Sequence, residues 1–206
     1  VDSAQPHCAC LLLAAGASTR MGRPKQLLDV GGMPLVRRIA LQLLAVPNLP
    51  LWVVLGAQAP AVEAALSGLP LHATVNERWE AGMGASIAAG MTQMLATHPQ
   101  LQAVVIAVAD QPFLSADVVT QLLAVWRQTG ASAVVARYNP RQWGTPCLLS
   151  RVYFTELLAL DGAAGARPLL LRREGDAPAA VNFPDGLLDL DTPADWEAYL
   201  QRINGR

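Results

Sequence analysis

Lysine is almost absent from this chain: Lys25 is the only one in 206 residues, against fourteen arginines. Charge of either sign is scarce too, at 15% of residues, and it nearly cancels to a net charge of -1. Such a balance gives no blanket attraction to nucleic acid or to an acidic membrane surface, so neither is an expected partner. Any affinity for phosphate has to come from a local cluster. Cysteine is limited to Cys8, Cys10 and Cys147, which make neither an even disulfide framework nor a complete zinc site and read as reduced apolar residues. Long hydrophobic runs are missing as well. The apolar stretch 8–17 is far shorter than a membrane span and has no basic residues ahead of it, which argues against a signal peptide. A soluble, cytoplasmic protein is the expectation.

What is present is apolar material in short pieces. With 52% hydrophobic residues and no repeats or low-complexity tracts, the chain reads as one compact domain over 1–206. Apolar runs at 8–14 (CACLLLA), 51–56, 71–75, 103–110 and 132–136 show no alternation, so they are expected as strands covered on both faces. Helical spacing appears at 34–46, 59–66, 86–97 and 115–128, with Ser115 expected to cap the last of these. Beyond residue 137 turn formers dominate (YNPRQWGTP). A short strand near 147–149 and helices at 151–160 and 166–174 follow. The ending DLDTPADWEAYLQRI reads as a strand entering a helix capped by Thr192, with Pro193 at its first position and Asp195 at its third. Alternating strands and helices imply a three-layer α/β/α, Rossmann-like fold with a mostly parallel sheet. Its ligands should sit at the carboxyl ends of the strands.

The loop after the first strand is where the lone lysine falls. Ala14, Ala15, Gly16 and Ala17 allow close approach of backbone N–H groups to an anion, and Arg20 and Lys25 add positive charge around the turn shaped by Gly22 and Pro24. Neither familiar phosphate loop is present. The Walker A spacing fails because five residues separate Gly16 from Gly22 and the lysine comes three later, and G-x-G-x-x-G fails because Ala17 and Ser18 follow Gly16.

Carboxylates suited to a divalent cation lie elsewhere in the chain. Asp110 ends the most apolar strand (VIAVADQPF), where it can reach phosphate oxygens through a metal or merely serve a turn before Pro112. Asp189 and Asp191 would share one side of an extended strand, and either can supply a second ligand. In NERWEAGMGASIAAGM, Gly82 and Gly84 permit close approach, while Ser86 offers a hydroxyl or a helix cap. Trp143 in RQWGTP can stack on a flat heterocycle or pack the core.

The run Leu13, Ala14, Ala15, Gly16, Ala17, Ser18, Thr19, Arg20, Met21, Gly22, Arg23, Pro24, Lys25 resembles the L-A-[AG]-G-x-S-x-R-M-G-x-x-K signature of the MobA-like nucleotidyltransferases. Ala15 is similar to the molybdenum cofactor cytidylyltransferases, where guanylyltransferase relatives carry a second glycine. The resemblance implies nucleotide contact by Leu13, Ala14, Ala15, Gly16, Ser18 and Gly22. It implies catalytic phosphate contact by Arg20 and Lys25, with Asn76, Gly84 and Ser86 around the base and ribose. By the same resemblance Asp110 is a Mg²⁺ ligand and Asp191 the second, with Asp189 still open. Arg141, Trp143, Gly144 and Pro146 would form the acceptor side. The nucleotide part would cover about 8–136 and the acceptor part about 137–206. One departure is Ala163, where the family's G-D-x-G-A-R has an acidic residue; Asp161 lies two positions upstream. The implied reaction is transfer of CMP from CTP to molybdopterin with release of pyrophosphate. Use of GTP, a sugar-phosphate acceptor, and a non-catalytic carrier serving a client molybdoenzyme are the alternatives.

Overall fold

A computed structural model describes residues 7–172 and 177–205. Seven strands join one sheet in the order β3-β2-β1-β4-β6-β5-β7. The first four are β1 (Cys8–Ala14), β2 (Leu51–Leu55), β3 (His72–Val75) and β4 (Ala103–Val108). β1 lies parallel between β2 and β4, so the chain steps outward on one side of β1 and returns on the other. That reversal opens a crevice at the carboxyl ends of β1 and β4, the expected place for a ligand in an open α/β sheet.

Alternation within β1 divides the core. Cys8, Cys10, Leu12 and Ala14 face one layer, built with α1 (Leu35–Leu44), α2 (Ala59–Leu66), α4 (Ala116–Thr129) and α7 (Pro193–Asn204). Ala9, Leu11 and Leu13 face the other, built with α3 (Met83–Thr97), α5 (Phe154–Leu158) and α6 (Arg167–Arg172). Every residue of β1 is buried because both faces are covered. The three-layer α/β/α architecture and the mostly parallel sheet follow. Among the described residues no helix is long and apolar enough to cross a membrane.

Several local expectations need correction. β3 is not covered on both faces; it pairs only with β2, at the sheet edge, and its residues are largely exposed. The turn-rich stretch after residue 137 is ordered as a hairpin, with β5 (Ala133–Asn139) and β6 (Gln142–Ser150) running antiparallel. Cross-strand pairing overrides the local turn formers, and the turn is confined to Pro140 and Arg141, with Asn139 Oδ1 accepting from the N–H groups of Arg141 and Gln142. β6 also pairs antiparallel with β4, which inserts it between β4 and β5. A further strand, β7 (Ala179–Asn182), lies parallel to β5. Residues 189–191 form no strand; Leu190 is buried, and its N–H donates to the Asp110 carbonyl at 2.9 Å.

Helix starts shift for identifiable reasons. α3 begins at Met83, with Gly82 at φ 118° in the capping position, so Ser86 lies inside the first turns and does not cap. Ser115 occupies the cap position of α4 but makes no side-chain cap bond; the Ala116 N–H is answered by Gln42 Oε1 of α1 instead. The expected helix at 151–160 is a 3-10 turn (Arg151–Tyr153) followed by the short α5. α6 begins at Arg167, and the expected helix end at Glu174 lies outside the described residues. The capping box of α7, by contrast, is formed as expected by Thr192 and Asp195 behind Pro193.

Candidate active site

The loop after β1 is braced from within. Ser18 takes a left-handed conformation, φ 57°, and its Oγ accepts from the Lys25 N–H at 3.0 Å while donating to Gln26 Oε1 at 3.2 Å. Gln26 is 1% exposed, and its Nε2 donates to the carbonyls of Gly16 at 2.7 Å and Ala14 at 3.3 Å. Gly22, at φ 71°, ends the turn Thr19–Met21, a conformation that an L side chain rarely adopts. Ser18 and Gly22 thus shape the loop from inside.

The consequence is the placement of Lys25. Its Nζ donates to Asp110 Oδ2 at 2.6 Å and to Asp191 Oδ1 at 2.8 Å, bridging residues from the ends of β4 and the 188–191 segment. Arg20 Nη2 meets the other oxygen of Asp191 at 2.9 Å. The bond from the Leu190 N–H to the Asp110 carbonyl fixes the two carboxylate segments against each other. Burial alone would lower the Lys25 pKa, but the charges of Asp110 and Asp191 outweigh it and raise it. Burial likewise works against the Asp191 carboxylate, yet hydrogen bonding and charge from Lys25, aided by Arg20, hold its pKa below the ordinary aspartate value. Asp189 behaves oppositely: burial, with Asp110 adding like-charge repulsion, pushes it up to about 7. Asp191 is therefore the more fully ionised of the pair.

A divalent cation fits these groups. Asp110 Oδ1 is buried and has no hydrogen-bond partner among the described residues, which leaves a carboxylate oxygen available beside Asp191. Oxygen donors of this kind suit Mg²⁺, which commonly takes one or two carboxylates and completes its shell with water and substrate phosphate. No group of three or more His, Cys, Asp or Glu among the described residues is arranged to hold a metal alone.

Two cavities meet at Lys25, Met83, Val108 and Asp110. The first, about 310 Å³, is lined by Leu13, Ala15, Gly16, Trp79 and Ser86. The second, about 510 Å³, is lined by Arg20, Trp143, Gly144, Arg167, Asp189 and Asp191. A side chain at Gly16 would touch no protein atom within 4 Å, so protein packing does not demand glycine there.

The MobA-like NTP transferase domain, as a family, matches residues 10–177. The chain belongs to that family. Nicotine blue oxidoreductase of Paenarthrobacter nicotinovorans is 34% identical, covering 84% of this chain and 85% of that protein. A Natronomonas pharaonis protein named "Probable molybdenum cofactor guanylyltransferase" is 35% identical, covering 94% of this chain and 97% of its own. The crystal structure of Rv0371C from Mycobacterium tuberculosis in complex with manganese superposes with a TM-score of 0.76 at 27% identity, covering 95% and 98% of the two chains.

Within this MobA-like domain the remaining expected residues divide. Ala14 is buried behind the loop, while Asn76 is buried and does not line the first cavity; it reaches that cavity only through Ser86, its Nδ2 donating to Ser86 Oγ at 3.1 Å and its Oδ1 accepting from the Arg78 N–H. Gly84 lies against 161–164: its N–H donates to the Gly162 carbonyl, and a Cβ there would come within 2.7 Å of the Ala164 carbonyl oxygen. Gly144 lines the second cavity and lets Tyr138 pass, since a Cβ would sit 2.7 Å from the tyrosine oxygen. Arg141 is exposed in the hairpin turn and Pro146 is buried in β6, and neither is among the residues lining the second cavity. Asp161 pairs with Arg78 at 3.0 Å on the surface and does not line that cavity either. Gln26 and Arg167 join the site without having been expected as site residues, although Arg167 closes the Gly162–Arg167 run that resembles the family's G-D-x-G-A-R. Gln26 carries no local signal in the sequence, whereas the motif run gives Arg167 one.

Proposed function

We propose that the chain is a Mg²⁺-dependent nucleotidyltransferase that moves CMP from CTP to the phosphate of molybdopterin. The observation that carries this reading is the meeting of the two cavities at Lys25 and Asp110, with Asp191 held alongside. CTP occupies the first cavity with its α-phosphorus toward Asp110, and the acceptor enters from the second. A phosphate oxygen of the acceptor attacks the α-phosphorus, a new P–O bond forms, the bond to the β-phosphate breaks, and pyrophosphate leaves. No nucleophilic side chain is consumed. Both reactants are anions, so the barrier is largely electrostatic, and groups fixed in advance around the reacting phosphates lower it most.

Asp110 and Asp191 would hold the cation, whose chemistry is to neutralise the phosphate oxygens as charge redistributes. Lys25 transfers its hydrogen bonds from the carboxylates to the departing phosphates, and Arg20, 70% exposed at the rim, follows them outward. Backbone around Gly16 approaches the triphosphate closely because no side chain intervenes. Ser86, ordered by Asn76, contacts the nucleoside. The Ala15 methyl group and Trp79 border the base end of the first cavity, which favours a pyrimidine over a larger purine.

Guanylyl transfer is the second reading, supported by the name of the Natronomonas relative. Pyrophosphate release measured with molybdopterin and each of the four nucleoside triphosphates tests both. CTP should give the highest kcat/KM, and a GTP preference would move the assignment to guanylyl transfer. Release with none of the four would leave a cofactor carrier. The same assay separates transfer from the redox activity in the name of the Paenarthrobacter relative, because electron transfer releases no pyrophosphate.

A further inference from the structure

The second cavity is lined by three cations, and they are not in equivalent surroundings. Lys25 and Arg20 are engaged by Asp110 and Asp191. Arg167 has no carboxylate partner among the described residues; its guanidinium carbon instead lies 5.0 Å from the centre of the Trp143 ring. Both belong to the cavity wall, on elements far apart in sequence: Trp143 on β6 and Arg167 at the start of α6. Stacking on an indole takes one face of a guanidinium and leaves its in-plane N–H groups to find acceptors.

The rest of the wall says what those acceptors belong to. Ile87, Ile106 and Leu170 make one part of the cavity apolar, and Asp110, Asp189 and Asp191 make another part acidic. A second anionic group on the acceptor would be opposed by the carboxylates and by desolvation. A flat, weakly charged ring with neighbouring acceptor atoms on one edge meets neither penalty. A planar guanidinium fork reads such an edge with paired hydrogen bonds, as arginine reads the O6 and N7 edge of guanine.

We infer that Arg167, held on Trp143, is a specificity-determining residue that grips the edge of a flat, carbonyl- and ring-nitrogen-bearing heterocycle in the acceptor, at a point separate from the reacting phosphate. This rests on the nucleotidyl-transfer reading for the identity of the second substrate. The heterocycle fixes the acceptor's orientation, and the phosphate is thereby presented to the Lys25–Asp110 end. Arginine is required because a lysine ammonium offers no planar fork.

The test is equilibrium binding of molybdopterin to the full chain, by calorimetry, alongside steady-state kinetics, for wild type, Arg167→Ala and Arg167→Lys. Both variants should weaken molybdopterin binding at least tenfold, with the KM for CTP within twofold of wild type and an unchanged melting temperature. Arg167→Lys should recover little of the loss. Unchanged molybdopterin affinity in Arg167→Ala, full recovery in Arg167→Lys, or no molybdopterin binding by wild type would each overturn the inference. If wild type binds molybdopterin through Arg167 but releases no pyrophosphate, the transfer reading falls and this inference stands. If wild type turns over and Arg167→Ala binds normally, the reverse holds.

Discussion

Lys25 Nζ rests 2.6 Å from Asp110 Oδ2, so the ammonium group already neutralises a carboxylate proposed to hold a divalent cation. The same nitrogen reaches Asp191, and its side chain is only 13% exposed. At the proposed metal site lysine and cation would compete for one pair of carboxylates, and a triphosphate that draws the lysine away would resolve the competition. Binding of Mn²⁺ without nucleotide, followed by electron paramagnetic resonance, should be weak in wild type and at least about tenfold tighter in Lys25→Gln, in line with removing a close like charge. A non-hydrolysable CTP analogue should tighten Mn²⁺ binding in wild type. Equal affinities with and without the lysine would show that no competition exists.

Asp110→Asn keeps the size of the side chain and removes its charge. Only one of its oxygens has a hydrogen-bonding partner among the described residues, so the fold should tolerate the change while the charge balance at the reacting phosphates is lost. Turnover should fall by about a hundredfold or more, the scale seen when one preorganised electrostatic contact is removed. Near-normal kcat with an unchanged melting temperature would take Asp110 out of the metal site.

In the proposed nucleotide site Ala15, which lines the first cavity, would bear on base choice through a single methyl group. Ala15→Gly enlarges the base end of the first cavity beside Trp79 and should move the ratio of kcat/KM for CTP over GTP toward GTP by about tenfold, within what one methylene-sized change commonly supplies. Competition kinetics with both nucleotides present measures the ratio. An unaltered ratio would place base selection elsewhere in the cavity.

The cap of α7 also positions the site. Asp195 Oδ2 accepts from the N–H groups of Thr192 at 2.7 Å and Asp191 at 3.2 Å, so the helix start and the proposed metal ligand share one anchor. Asp195→Ala should lower stability by about 1 kcal/mol, as loss of a cap does, and should also reduce kcat. Urea denaturation and steady-state rates read the two effects separately. A loss of stability with unchanged kcat would confine Asp195 to capping.

What could be read from the sequence depended on whether the signal was local. Lys25 stood out because no other lysine competes with it, and Asp110 because an apolar strand runs directly into it. The cap of α7 was legible because Thr192, Pro193 and Asp195 act within one turn. Gln26 was not, since its value lies in reaching back to the carbonyls of Ala14 and Gly16. The extended strand expected at 189–191 is absent for a related reason: Leu190 packs into the core and its N–H bonds to the Asp110 carbonyl, and a strand-like pattern is indistinguishable from that in sequence. The same holds for β6, whose antiparallel place between β4 and β5 is decided by pairing partners far away in the chain. Arg167 and Trp143 meet across the cavity by the same kind of long-range placement.

Two glycines from the expected nucleotide site should respond differently to the same substitution. A Cβ at Gly84 would come 2.7 Å from the Ala164 oxygen and 3.0 Å from that of Gly162, both backbone atoms with little freedom to yield. Gly84→Ala should therefore cost about 1–3 kcal/mol, the range for overpacking, and lower the melting temperature by several degrees. At Gly16 a Cβ meets nothing within 4 Å, and the residue has no positive φ, so Gly16→Ala should leave the melting temperature unchanged. Its added methyl group projects into the space proposed for the triphosphate, and the KM for CTP should rise about tenfold. Scanning calorimetry and nucleotide kinetics on the two variants separate a glycine required by the protein's own packing from one required by its ligand. A Gly16→Ala enzyme with an ordinary KM for CTP would show that the loop backbone does not approach the nucleotide.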